Sequence, residues 1–400
     1  MQPLKWIIGC TLSLLIVITL LLMAGPYRYL PSLLMYQKAD LDDHKIFNNH
    51  IVEVSKSMPW SKAKKYNKIT LSQEAQSILS KYDSKAFLIV HNGKLLFERY
   101  WQGYDEHIRS NSFSMAKSIV SLLLGVAISE GYIQDLEQKL SDFLPAFNQG
   151  QRKHIRIKDV LTMSSGLNWD ESYSSPFSVT AQAYYGQRLS GLVNTMQVAE
   201  PPGQHFRYAS INTQILAEVL EKATGVTISK YAAAKLWQPI GATQPALWSL
   251  DQANGEEKAF CCFFSNAQDF ARIGQLILNG GKWQDQQVIP SQYLVDALRP
   301  ARYLKDHRDD QEVDFYGYHF WLTNYKSMEV VIIQGIKGQY ILVVPAMNAV
   351  IVRLGEKKST HRTRYMADDM FKYLDITMSI LKQIGLEGAN ICCGRALSFN

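Results

Sequence analysis

Ser114-Met115-Ala116-Lys117-Ser118-Ile119-Val120-Ser121-Leu122-Leu123-Leu124-Gly125-Val126-Ala127-Ile128-Ser129-Glu130-Gly131 is the stretch on which the reading of this chain turns. From Ser118 to Glu130 it is apolar at nearly every turn and stops at a glycine, which predicts a buried helix with Gly131 as its C-cap. Residues i and i+3 share one face of a helix, so the Ser114 hydroxyl and the Lys117 amine come within hydrogen-bond reach. A serine hydroxyl is a poor nucleophile until a base removes its proton. A lysine serves when desolvation and nearby positive charge lower its pKa, and the first turn of an apolar helix offers both. The helix N-terminus also favours charge developing on the serine oxygen. The same spacing recurs at Ser61/Lys64, in a basic linker, and at Ser379/Lys382, on an amphipathic stretch; Ser114 alone precedes an apolar helix.

Working outward, Ala86 to His91 and Lys94 to Tyr100 are β-rich runs joined by Asn92-Gly93, the strongest short hairpin signal. Downstream, Ile157 to Met163, Asn212 to Thr224 and Ala267 to Leu278 read as helices, the last two punctuated by glycine. Strands return at Tyr316 to Leu322, Glu329 to Gln334, Gln339 to Val344 and Ala349 to Leu354, and Arg364 to Ile384 closes the chain as an amphipathic helix. Strands at both ends with helices between them predict an α+β fold. Its antiparallel sheet is built from both chain ends and flanked by helices, with a mainly helical lobe inserted over about 113–314. The whole of 76–385 then reads as one domain.

The 400 residues are 47% hydrophobic and 20% charged, with net charge +6, which excludes a disordered chain, a collagen-like repeat and a polytopic membrane protein. One segment departs from this average. The 22 uncharged residues from Trp6 to Tyr27 are long enough for a bilayer core of about 30 Å. Residues 1–27 are expected as an uncleaved membrane anchor, the alternative being a cleaved secretory signal, with the domain exported to the periplasm or cell exterior. Residues 28–75 read as a juxtamembrane spacer and 386–400 as a tail. Lys62, Lys64, Lys65 and Lys68 are the only dense basic cluster; they read as a solvated face, so no nucleic-acid partner is expected. Cys261-Cys262 and Cys392-Cys393 are expected as buried free thiols, with a cross-pair disulfide as the alternative. The nine histidines show no metal-ligand spacing, so neither metal nor cofactor is called for.

Two further elements carry chemistry. In Phe206-Arg207-Tyr208-Ala209-Ser210, Tyr208 and Ser210 project together from an extended loop. A phenol beside an ammonium would have its deprotonated form favoured and suit a proton shuttle. Gly335-Ile336-Lys337-Gly338-Gln339 is a glycine-bracketed strand edge that lets a substrate approach closely. Ile336 and Gly338 are expected against the substrate, and the backbone amides of Ser114 and Gln339 as an oxyanion hole.

Ser-x-x-Lys, Tyr-x-Ser and a Gly-rich strand, in this order, resemble the serine β-lactamase and penicillin-binding-protein superfamily, in its class C β-lactamase-like branch. Leu161 to Leu167, Trp237 to Ala242 and Asp269 to Gly274 resemble further landmark segments of that family, and the likeness covers about residues 80–380. It implies a two-lobe fold with Ser114 as acyl-accepting nucleophile, Lys117 as its base or relay and Tyr208 as second acid/base. Ser210 stands where β-lactamases commonly have Asn, which implies a substrate-binding role for it as a shorter donor to the substrate amide. Lys337 is displaced by one residue from the Lys-Thr-Gly lysine that binds a substrate carboxylate, and one residue on a strand reverses the face. The pattern is similar to the 6-aminohexanoate-oligomer hydrolases and related esterases. It implies a small-molecule amide or ester substrate without a fixed carboxylate anchor. Trp169, Tyr184 and Tyr185 fall in the segment covering the site, Tyr185 as a substrate contact. The alternatives are a β-lactamase or DD-peptidase, and an inactive envelope scaffold binding a cell-wall fragment.

Overall fold

The computed structural model describes residues 6–13, 16–17, 25 and 27–385. Much of the apolar run lies outside the described residues, as does the tail with Cys392 and Cys393. Among the described residues no helix is long and apolar enough to cross a membrane.

Six antiparallel strands form the main sheet: β1 (Ser84–His91), β2 (Lys94–Tyr100), β3 (Trp321–Tyr325), β4 (Met328–Gly335), β5 (Gln339–Val344) and β6 (Ala349–Gly355). Their order is β3-β4-β5-β6-β1-β2, so β6 pairs with β1 and both ends of the domain share one sheet. Alternation sends Ala86, Leu88 and Val90 of β1 to one face and Phe87 and Ile89 to the other. Each face meets its own apolar core.

The helices that matter for the site are α1 (Leu30–Tyr36), α2 (Ala116–Ser129), α3 (Val179–Tyr185), α4 (Ser210–Thr224), α5 (Ala267–Leu278) and α6 (Asp369–Gln383). One core joins α2, α4 and α5 to the sheet, and the other packs the sheet against α6. Two of the landmark segments serve this packing. Asp269 is fully buried on the first turn of α5 and accepts from Thr243 N at 2.9 Å, Thr243 Oγ1 at 2.9 Å and Arg272 Nε at 2.9 Å. Arg272 in turn donates to the Ile240 carbonyl at 3.0 Å, which ties the Trp237–Ala242 segment to the helix. Asp269→Ala leaves a buried guanidinium without its counter-charge and is expected to cost about 3–5 kcal/mol in denaturant unfolding. A loss below about 1 kcal/mol would contradict this account.

Several expectations need correction. Residues 28–75, read as a spacer, are built into the fold: Asn49–Val52 pairs with Ala246–Ser249, in a four-stranded sheet completed by Phe263–Ser265 and Ser110–Asn111. Tyr316 to Leu322 is not a strand along its length, because His319 takes a left-handed φ of +63° and pairing begins at Trp321. Its aromatic residues pack instead around Phe206 and Tyr208. The closing helix starts at Asp369, since Arg362–Thr363 and Met366–Ala367 form a short hairpin turned by Arg364 at φ +53°. Cys261 and Cys262, expected as free thiols, are bonded to each other.

Candidate active site

The small sheet delivers the nucleophile. Ser110–Asn111 lies at its edge, the Asn111 side chain accepts from Phe113 N at 2.9 Å, and Ser112 N donates to the Phe263 carbonyl at 2.9 Å. These bonds hold Phe113 at a left-handed φ of +45°, a strained conformation for a bulky residue that costs about 1–3 kcal/mol. The turn lifts Ser114 to the surface of a cleft while its neighbours Phe113, Met115 and Ala116 stay buried.

Lys117, on the first turn of α2, is 2% exposed. Its Nζ lies 3.1 Å from Ser114 Oγ and donates to the Phe260 carbonyl at 2.7 Å. Burial pulls the Lys117 pKa down to about 8, while the negative charge of Glu171 opposes that pull. Desolvation is thus the cause, and the expected neighbouring cation plays no part in it. A neutral amine keeps one N–H on the Phe260 carbonyl and turns its lone pair to the Ser114 hydroxyl, the geometry of a general base.

Tyr208 stacks on Trp321 at 5.3 Å, and Lys117 Nζ stands 5.3 Å from the centre of its ring. Its expected deprotonated form is not favoured. Burial and the Glu171 charge both raise the Tyr208 pKa, against a hydrogen bond with Ser114 that lowers it. The phenol is held neutral, suited to donating a proton rather than abstracting one.

Ser210 opens α4 and its side chain does not cap that helix. It donates to Glu171 through Oγ at 2.6 Å and through its backbone N–H at 2.7 Å. Trp169 Nε1 donates to the same carboxylate at 2.6 Å, and the Tyr173 hydroxyl is a further donor. Glu171 is the residue that the sequence reading missed; its available signal was an acid two places after Trp169 in the covering segment. Met163, in the landmark turn of Leu161 to Leu167, accepts from Arg207 N at 2.7 Å and so fixes the Tyr208 loop.

The third motif is only partly as expected. Gly335 packs on the nucleophile turn, where an added Cβ would stand 2.4 Å from the Ser112 carbonyl oxygen. Ile336 lines the cavities on both sides of Ser114. Gly338 does not reach them: it is buried against Arg353, to which its carbonyl offers a bond of 2.8 Å. The Gln339 amide donates to the Ile336 carbonyl within the turn and is not free to serve an oxyanion. Lys337, displaced as read from the sequence, is neutralised by Asp40 at 3.0 Å and Glu356 at 2.9 Å.

Two cavities meet at Ser114. One, of about 640 Å³, runs toward α1 and α3 and is lined by Phe113, Tyr184 and Tyr185; the Tyr185 hydroxyl is buried there without a partner among the described residues. Tyr184 supports this wall from behind, donating to Asp43 at 2.6 Å. The other, of about 620 Å³, holds Trp169, Glu171, Tyr208 and Trp321. No cluster able to hold a metal occurs among the described residues.

The beta-lactamase family model matches residues 79–374. The 6-aminohexanoate-dimer hydrolase of Paenarthrobacter ureafaciens is 27% identical over 289 residues, covering 67% of this chain and 71% of that one. Among solved structures, a candidate 6-aminohexanoate-dimer hydrolase from Bacillus anthracis superposes with a TM-score of 0.71 at 19% identity, over 91% of this chain and 96% of the other. A family VIII carboxylesterase gives 0.62 at 15% identity, over 83% and 100%.

Proposed function

Because the chain belongs to the beta-lactamase family of hydrolases, we propose that it cleaves an amide or ester bond through an acyl-enzyme on Ser114. The observation that carries this reading is the buried Lys117 amine, 3.1 Å from the half-exposed Ser114 hydroxyl and lowered toward neutrality. Lys117 takes the serine proton as Oγ attacks the carbonyl carbon. Tyr208, kept as a neutral phenol, supplies a proton to the departing nitrogen or oxygen, and water then releases the acyl group by the reverse relay. The Ser114 amide is one oxyanion donor. With Gln339 N–H committed elsewhere, the Ile336 amide beside the cleft is the better second donor.

Incubation with a fluorophosphonate, followed by peptide mapping, tests the assignment. The label is expected on the peptide carrying Ser114; a label elsewhere, or none on folded protein, overturns it. Neutralised Lys337 speaks against the β-lactamase or DD-peptidase reading, which a covalent band with fluorescent penicillin would restore. An inactive scaffold has no use for a desolvated base beside a serine raised on a strained turn. We further propose that residues 6–27 tether an exported domain, a reading supported by their apolarity and by a disulfide suited to an oxidising compartment.

Glu171→Gln tests the electrostatics of the site. Removing the charge that raises the Lys117 pKa is expected to move the acidic limb of the pH–rate profile to lower pH. The amide has fewer acceptor positions for its several donors, so kcat/KM is expected to fall about tenfold. An unmoved limb would show that the carboxylate is not felt at the amine.

A further inference from the structure

We propose that the cavity on the α1 side of Ser114 seats a long hydrocarbon chain, so that the bond cleaved belongs to an amphiphile. This deepens the hydrolase reading above and rests on it. The two sides of Ser114 differ in chemistry. The α1 side exposes mostly carbon, with Leu33, Phe113, Ala181 and the Tyr185 ring on a wall that also carries serine hydroxyls, Lys38 and the ion-paired Lys337. The other side carries Asp170, Glu171, Arg207, Lys358 and Arg362. A molecule with hydrocarbon on one side of the scissile bond and a polar group on the other matches this division.

The apolar wall is braced. Tyr29 is buried and its hydroxyl donates to the Pro176 carbonyl at 2.9 Å, which locks the entry to α1 against the loop that precedes α3. The mouth is apolar as well. Leu34 lines the cavity yet is 73% exposed, Met35 beside it is 72% exposed, and Phe177 is 67% exposed between the lining residues Pro176 and Ser178. The Tyr27 ring meets Phe177 edge to face at 6.0 Å. Single exposed apolar residues need no explanation, whereas a cluster around the entrance to a catalytic cavity marks a contact surface. α1 follows directly on the apolar run of residues 6–27, so the tether proposed above holds this mouth at a lipid surface.

The test is a chain-length series of p-nitrophenyl esters, from acetate through butyrate to octanoate and decanoate, on the full chain in detergent. Burial of each added methylene is worth roughly fourfold in kcat/KM, so octanoate, six methylenes longer, is expected to exceed acetate by roughly 10³ or more. Ala181→Phe narrows the cavity and is expected to move the optimum to a shorter chain, with fluorophosphonate labelling of Ser114 showing that the variant is folded. A profile flat or falling beyond butyrate in labelled enzyme overturns the inference and leaves the hydrolase reading standing, as does an optimum unmoved in labelled Ala181→Phe. Absence of both label and turnover in folded wild type removes the two together.

Discussion

Ser114→Ala protein is expected to form no covalent adduct and to lose about 10⁴-fold or more in kcat, because Ser114 is the hydroxyl that the Lys117 amine reaches. Ser210 also lines the cleft, and its Oγ is committed to Glu171 at 2.6 Å. The fold has no stake in the missing oxygen. Lys117 keeps the Phe260 carbonyl as a partner, and Phe113 keeps its bond to the Asn111 side chain. Thermal unfolding within about 1 kcal/mol of wild type is therefore expected, and intact-mass measurement after incubation with a fluorophosphonate reads the chemistry separately. A variant that still turned substrate over at near wild-type rate would move the nucleophile away from the α2 start altogether.

Loss of Lys117 is expected to lower kcat/KM by about 10²–10⁴, the range for removal of a general base. The pH dependence carries the sharper information. Below about pH 8 the buried amine holds its proton and cannot accept another from Ser114; above it the lone pair is free. The wild-type rate is expected to rise tenfold per pH unit on the acidic side and level off above about 8. Lys117→Met fills the buried volume without an ionisable group, so its residual rate should lack that limb. Retention of the limb in Lys117→Met would assign the titration to another group. Lys117→Ala is the less informative change, since it also opens a void beside the Phe260 carbonyl.

Periodicity and punctuation made much of this legible before any coordinates. The Asn92-Gly93 hairpin, β4 to β6 and the α2 stretch are runs whose apolar pattern matches one environment, and the structure places them as read. Ser114, Lys117, Tyr208 and Ile336 come together at one cleft because each sits at a fixed offset from such a run. What escaped was set by distant partners. Asn49–Val52 is a four-residue strand that gains its identity only from Ala246–Ser249. The carbonyl that anchors Lys117 belongs to Phe260, and no side-chain pattern announces a backbone acceptor. The charge preference of Tyr208 is misleading in the sequence because the nearest ammonium is visible in the motif, whereas the burial of the phenol and the charge of Glu171, remote in sequence, are not. Gln339 failed as an oxyanion donor through a turn geometry that residue types do not encode.

The pairing of β6 with β1 has a consequence for synthesis. The first hairpin leaves the ribosome with the edge of β1 unsatisfied, and its partner Ala349–Gly355 follows about 250 residues later. At ordinary elongation rates that interval is on the order of 10–50 s. Throughout it, one edge of a strand whose residues Phe87 to Val90 are wholly buried in the finished protein has no partner. Such an edge invites mispairing with other chains. The same delay keeps the domain from closing before its last strands arrive, so a chain exported as proposed above would still be threadable through a channel. A fold sealed by its final strands is thereby compatible with being exported first and assembled afterwards.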